Sequence, residues 1–248
     1  MSVLRATLGV LRTAALRIAL KELQIVDLLD RIDRMIEERH LLTHPFYTKW
    51  ADGTLPRDAL QEYARQYYAF ESAMPRFLSA IHSRTDSPQV RQHLLDNLWD
   101  EEQGKDNHAE LWLRFAEGIG VSREDVRASQ PNDATGALVD TYTELSREAS
   151  VAEGVAALYA YESQVPKVAE SKIEGLKRNY ELDDKRSLAF FIVHGVMDIE
   201  HSGAERQVLG ELTADADPAP IEDATRRALD AWWNFLSAVD QPAMATAA

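Results

Sequence analysis

Phe190-Phe191-Ile192-Val193-His194-Gly195-Val196-Met197-Asp198-Ile199-Glu200-His201 is the stretch that decides how this chain is read. Taken as a helix, it carries His194, Asp198 and His201 at i, i+4 and i+7, within an arc of about 60°. Two imidazoles and a carboxylate then project from one stripe whose flanks are otherwise apolar. Buried groups of that kind are costly unless they are paired or hold a metal. A metal is the leading expectation, and the remaining ligands must come from elsewhere in the chain.

Working outward, the neighbouring segments are also helical. Asp183 or Asp184 caps the helix that contains the stretch. Upstream, Ser150-Val151-Ala152-Glu153 is a capping box, and its helix runs towards Tyr180 with a bend expected at Pro166. Pro131 opens a helix ending near Arg147, and a short helix follows Ser122. Ser87-Pro88 reads as a cap with Pro in the first turn, and that helix is expected to continue to Glu117. Leu55-Pro56-Arg57-Asp58 opens an aromatic-rich helix to Arg84, kinked at Pro75. Before it, His44-Pro45-Phe46-Tyr47 and Asp52-Gly53 read as loop or turn. Ile25, Leu28, Leu29, Ile32 and Ile36 repeat with helical period. Downstream, an acidic linker leads to a last helix around Ile221 to Val239.

No strand-like alternation, nucleotide-binding glycine loop or fixed-period repeat interrupts this pattern. Long helices joined by short loops imply one all-α bundle. Residues 25–240 are read as its single domain. Residues 1–24 form a basic extension with Arg5, Arg12, Arg17 and Lys21 and no acid before Glu22, read as an amphipathic helix. Residues 241–248 are read as a frayed tail.

Composition removes several classes of function. A formal charge of −14 without a basic stripe argues against nucleic acid and against an anionic membrane surface. No apolar run approaches the roughly 18 residues of a membrane span. The absence of cysteine excludes disulfides, thiolate zinc sites, iron–sulfur clusters and cysteine nucleophiles. It is compatible with a cytoplasmic location.

Further ligands are available on two other expected helices. Glu101 and His108 lie seven apart on the helix from Pro88, so one continuous helix would give them the same face. Glu162 sits in the apolar run Val155 to Tyr161. Each has an ordinary reading: Glu101 within an acidic face, His108 as a hydrogen-bonded surface histidine. Together, Glu101, His108, Glu162, His194, Asp198 and His201 could hold two divalent metals. Carboxylate and imidazole donors suit iron or manganese, as Fe/Fe or Mn/Fe, and leave positions for dioxygen. Glu37-x-x-His40 has a ferritin-like spacing but no second copy. His44, His82 and His93 lack a supporting carboxylate at helical spacing and are read as structural.

Asp100-Glu101-Glu102-x5-His108, Ala157-Leu158-Tyr159-x-Tyr161-Glu162-Ser163-Gln164 and His194-x3-Asp198-x2-His201 together resemble the heme-oxygenase-like di-metal oxidases. That superfamily is related to the TenA and PqqC proteins. Within it, the likeness is to the chlamydial protein associating with death domains and its bacterial relatives that make para-aminobenzoate. His44-Pro45-Phe46-Tyr47 and Leu78-Ser79-Ala80-Ile81-His82-Ser83-Arg84 add to the likeness. It covers Ile25 to Val239.

The resemblance implies a heme-oxygenase-like bundle of about seven core helices binding two metals. It also implies synthesis of para-aminobenzoate for folate by self-sacrifice. By motif position Tyr47 would give the carbon skeleton and Lys172 the amino nitrogen, with Tyr63 and Tyr161 nearby. Dioxygen and an external reductant would be consumed. On residues alone, Tyr47 could merely anchor its loop, and Lys172 sits in a charge run whose default is solvation. The resemblance also admits a homodimer. Competing readings are a conventional di-iron oxidase acting on an external small amine, amino acid or fatty acid, and a protein-interaction module. A TenA-type thiaminase lacks its cysteine here.

Overall fold

The computed structural model describes residue 22 and residues 24–214 and 216–240, so the expected N-terminal extension and C-terminal tail lie almost wholly outside the described residues. Helix α1 spans residues 24–38. A 3-10 turn, Leu41–Thr43, leads into α2 (Pro45–Asp52), α3 (Arg57–Glu71), α4 (Met74–His82) and α5 (Pro88–Glu102). Next come α6 (His108–Gly118), α7 (Arg123–Ala128), α8 (Asp133–Arg147), α9 (Val151–Glu162) and α10 (Val165–Asn179). The long α11 (Lys185–Leu212) and α12 (Pro218–Asp240) complete the chain. No strand occurs among the described residues.

Most helix starts follow the capping chemistry in the sequence. Ser87, Asn107, Ser122, Asn132, Ser150 and Asp184 each accept a hydrogen bond from a backbone N–H in the first turn. Ser150 and Glu153 complete the reciprocal capping box.

Four expectations are corrected. The segment after His44 is helical: Pro45 occupies the first turn and the His44 ring accepts from Phe46 N–H, so Tyr47 lies on a helix and not a loop. Pro75 and Pro166 do not bend continuous helices. The chain breaks before each, at Ser72-Ala73 and at Ser163-Gln164, and each proline sits in the first turn of the next helix. Buried Gln164 holds the second break, donating to Ala160 O at 2.6 Å and accepting from Leu41 N at 2.8 Å. Finally, the expected helix from Pro88 to Glu117 is two helices. Residues 103–107 leave helical geometry, with Gly104 at φ 69° and Asn107 capping α6.

Helix α11 runs through the middle, packed by α10, α6, α9 and α5, while α12 closes the other side against α9, α8 and α3. Rings fill the layer between them. Trp112, Phe115, Tyr63, Tyr67, Phe70, Trp232 and Phe235 are all buried. Between residues 192 and 205, helix α11 inverts the usual amphipathic pattern. His194, Asp198, His201 and Glu205 are buried, whereas Ile192, Val196 and Ile199 are exposed.

Candidate metal centre

The inward stripe of α11 faces carboxylates and imidazoles from four other helices. Two clusters result, and within each cluster the candidate ligand atoms lie within 4.8 Å of one another. The first joins Glu71, Glu101, His108 and His194, and the second joins Glu162, Asp198 and His201. All seven side chains are buried. The six residues expected from sequence are therefore brought together, with Glu71 added at the end of α3.

Helix ends position most of them. Glu71 and Glu162 are the last residues of α3 and α9, and His108 is the first of α6. The break at residues 103–107 turns the chain so that His108 faces Glu101, with Nδ1 3.1 Å from Oε1. The two residues thus share a site although they do not share a helix.

Each imidazole on α11 is oriented by a hydrogen bond from its far nitrogen, as expected of metal-binding histidines. His194 Nδ1 lies 2.9 Å from Phe190 O, leaving Nε2 free. His201 Nε2 lies 3.2 Å from Asp100 Oδ2, leaving Nδ1 3.6 Å from Asp198 Oδ1 and 4.0 Å from Glu162 Oε2. Asn97 donates to both oxygens of Glu162, at 3.2 and 3.0 Å.

The electrostatics fit a bound cation. Burial, reinforced by neighbouring carboxylates, pushes the pKa of Glu71, Glu101 and Glu162 up. Burial pulls His108 and His194 down. His201 moves the other way: burial lowers it, but Asp198 and Glu162 outweigh that and raise it to about 9. Glu71 Oε1 and Glu101 Oε2 have no hydrogen-bond partner, and the charged neighbour of His108 Nδ1 is Glu101 Oε1. Buried, unpartnered donor atoms of hard-ligand type converging from several helices suit one or two divalent cations.

Beyond His194 lies a second constellation. Lys172 is buried, and its ammonium nitrogen donates to Tyr63 OH at 2.7 Å. Tyr63 OH is 3.3 Å from Tyr47 OH, and Lys172 Nζ is 5.2 Å from the centre of the Tyr47 ring. Burial lowers the Lys172 pKa to about 7, opposed by the charge of Glu71. The solvated reading of Lys172 is thereby overturned, and its cause is Gly175. A Cβ there would stand 2.5 Å from Trp50 Cδ1, so the glycine lets α10 press onto α2 and carry Lys172 inward. Trp50 Nε1 donates to Lys172 O at 3.3 Å across the same contact.

Tyr47, Tyr67, Tyr161, Lys172, Phe190, Phe191 and His194 enclose a cavity of about 10 Å³. That is room for about one water-sized molecule. Tyr161 OH is hydrogen-bonded to Tyr67 OH, and its ring stacks on Trp232 at 4.3 Å. A separate cleft of about 430 Å³, lined by Ser72, Pro75, Glu102 and Asn107, reaches Glu71 and Glu101.

Sequence reasoning missed Glu71, yet a signal was present. Tyr68-Ala69-Phe70-Glu71-Ser72-Ala73-Met74-Pro75 recurs as Tyr159-Ala160-Tyr161-Glu162-Ser163-Gln164-Val165-Pro166. Both copies end a helix on a buried carboxylate, break, and restart with proline in the first turn. Tyr67 was also overlooked as a member of the cavity wall.

Comparison with known proteins agrees with this architecture. The TENA/THI-4/PQQC family matches residues 29–192. A 4-aminobenzoate synthase of Chlamydia muridarum is 40% identical over 227 residues, 92% of this chain and 95% of that protein. A second 4-aminobenzoate synthase, from Nitrosomonas europaea, is 38% identical over 85% of this chain and 90% of its own length. Among solved structures, a domain of unknown function with a heme oxygenase-like fold from Shewanella denitrificans superposes with TM-score 0.72. It shares 19% identity, covering 86% of this chain and 90% of that one. The fold is heme-oxygenase-like.

Proposed function

The chain belongs to the TENA/THI-4/PQQC family, and from that premise we propose that it is an enzyme making 4-aminobenzoate from its own side chains. Tyr47 supplies the aromatic ring and Lys172 the amino nitrogen, with dioxygen and an external electron donor consumed. Glu71, Glu101, His108 and His194 would hold one metal, and Glu162, Asp198 and His201 the second, as Fe/Fe or Mn/Fe. When bound, such metals supply activation of dioxygen.

One observation carries the reading. Lys172 and Tyr47 are buried side by side, and the cavity joining them to His194 holds only about 10 Å³. An external aromatic substrate has no room there, so the ring available for oxidation is one the chain already contains. The other side chains prepare these two. Burial leaves a large fraction of Lys172 as free amine near neutral pH. Tyr63 accepts from that amine and contacts the Tyr47 phenol, setting the two groups at a fixed separation. The surrounding Phe190, Phe191 and Val168 shield the pair from bulk solvent.

The test is intact mass of the purified chain after exposure to Fe(II) or Mn(II), reductant and dioxygen. Loss of mass at Tyr47, with a second change at Lys172 where the nitrogen departs, and at most one product per chain, is the expected result. Tyr47→Phe should form no product while binding metal normally. Many turnovers per chain on an added compound would reject self-sacrifice.

That outcome belongs to a second reading, a conventional oxidase of a small amine, amino acid or fatty acid. The cleft reaching Glu71 and Glu101 favours it, since an external molecule could approach the metals from that side. On the first reading the same cleft serves the electron donor. The exposed Ile192, Val196 and Ile199 on α11 support a homodimer, to be tested by sedimentation of the purified chain. No helix among the described residues is long and apolar enough to cross a membrane.

A further inference from the structure

The stripe on α11 does not stop at His201. Glu205 lies one turn further, at i+4 from His201 and i+7 from Asp198, on the same inward face. It has no exposed surface, and neither of its oxygens meets an N–H or hydroxyl donor, its close polar neighbour being the carboxyl of Glu162. Its charged neighbours are Glu162 and then Asp198, and no ion pair joins it to an arginine, lysine or histidine among the described residues. Burial and these acidic neighbours push its pKa well up, a cost that a leucine or a glutamine at this position would not carry. A bound ion is one of the features that satisfy such a buried carboxylate.

The two candidate metal positions are also unequal. The first gathers four donor side chains and the second three. Glu205 is next to the poorer one, in contact with its Glu162. Ser202, the other polar residue on that turn, is not available: its hydroxyl donates to Asp198 O at 2.6 Å.

We propose that Glu205 is the fourth protein ligand of the second metal, joining Glu162, Asp198 and His201. The proposal rests on the two-metal reading above and adds a ligand to it. With a cation bound there, Glu205 and Glu162 would both face positive charge, which would offset the repulsion between them.

Glu205→Gln separates this role from a structural one. Glutamine keeps the shape and can donate a hydrogen bond to Glu162, so a residue that only props Glu162 would be replaced without loss. An amide is a far poorer ligand than a carboxylate. The experiment is anaerobic equilibrium dialysis against Mn(II), with metal per chain measured on wild type and variant and EPR recorded on each. Wild type is expected to take two ions per chain and show the coupled spectrum of a dinuclear site. The variant is expected to keep one ion tightly, bind the second at least about tenfold more weakly, and show an uncoupled six-line signal. Thermal unfolding of the metal-free variant controls for folding, and its Tm should equal or exceed that of wild type. Two ions per chain at wild-type affinity in the variant would overturn the assignment and leave the two-metal reading standing. Fewer than two ions in wild type would overturn both.

Discussion

Replacing Lys172 by methionine should stabilise the metal-free protein, and by more at low pH than at high. The buried ammonium has its pKa lowered from 10.5 to about 7. In the unfolded chain the amine keeps its ordinary value, so between these two values the unfolded state binds more protons than the folded one. Wild-type stability therefore rises with pH across that window, and the full cost of burying the charge is present below pH 7. At about 1.4 kcal/mol per pH unit, the cost is about 5 kcal/mol at pH 6 and about 2 kcal/mol at pH 9. Methionine fills similar space without a charge. It forfeits the hydrogen bond to Tyr63, worth about 1 kcal/mol. The variant should thus exceed wild type by about 4 kcal/mol at pH 6 and by about 1 kcal/mol at pH 9. Urea unfolding of both proteins across this range measures the gap, and groups that titrate alike in the two cancel. A gap that does not narrow on raising the pH would refute the claim that burial lowers the Lys172 pKa. A variant less stable than wild type at pH 6 would do so as well.

Other outcomes can be stated more briefly. Gly175→Ala places a methyl 2.5 Å from Trp50 Cδ1; it should cost about 1–3 kcal/mol in denaturant unfolding and cut product yield more sharply than metal content. Asp100→Asn removes the carboxylate that orients His201 and should weaken Mn(II) binding about 10–100-fold in equilibrium dialysis, with little change in the fold. Each cation held at 100 times its Kd adds about 2.7 kcal/mol, so Mn(II) filling both clusters should add about 5 kcal/mol of stability, seen as a raised Tm that EDTA reverses.

The parts of the site legible in sequence are those governed by local register. His194, Asp198 and His201 needed only the helical period. Glu162 stood out because its neighbours are apolar. His108 was found for the wrong reason: a continuous helix and a broken one bring it near Glu101 by different routes. Gly104 and Asn107, the turn and cap that mark the break, were hidden in a polar run that also suits a helix surface. The prolines misled in the same way. Pro45, Pro75 and Pro166 read as loop or kink in the sequence, whereas each opens a helix, because a first turn has no need of the missing N–H. Glu71 and the burial of Lys172 depend on which helices touch. The first was nonetheless hinted at by the octapeptide shared with the Glu162 segment. The second follows from a contact between Gly175 and Trp50 that no local pattern encodes.

Tyr47 packs edge-on to Phe46 and within 6.2 Å of Trp50, in the most aromatic part of the interior. If its ring is what the chain gives up, the protein after reaction has a hole where a large side chain stood. Removing an aromatic side chain from a core costs about 3–5 kcal/mol, a large share of the stability of an ordinary domain. The spent chain would open more often than the fresh one and be cleared sooner by cellular proteases. A reagent used once would then carry its own disposal mark, written by the reaction itself.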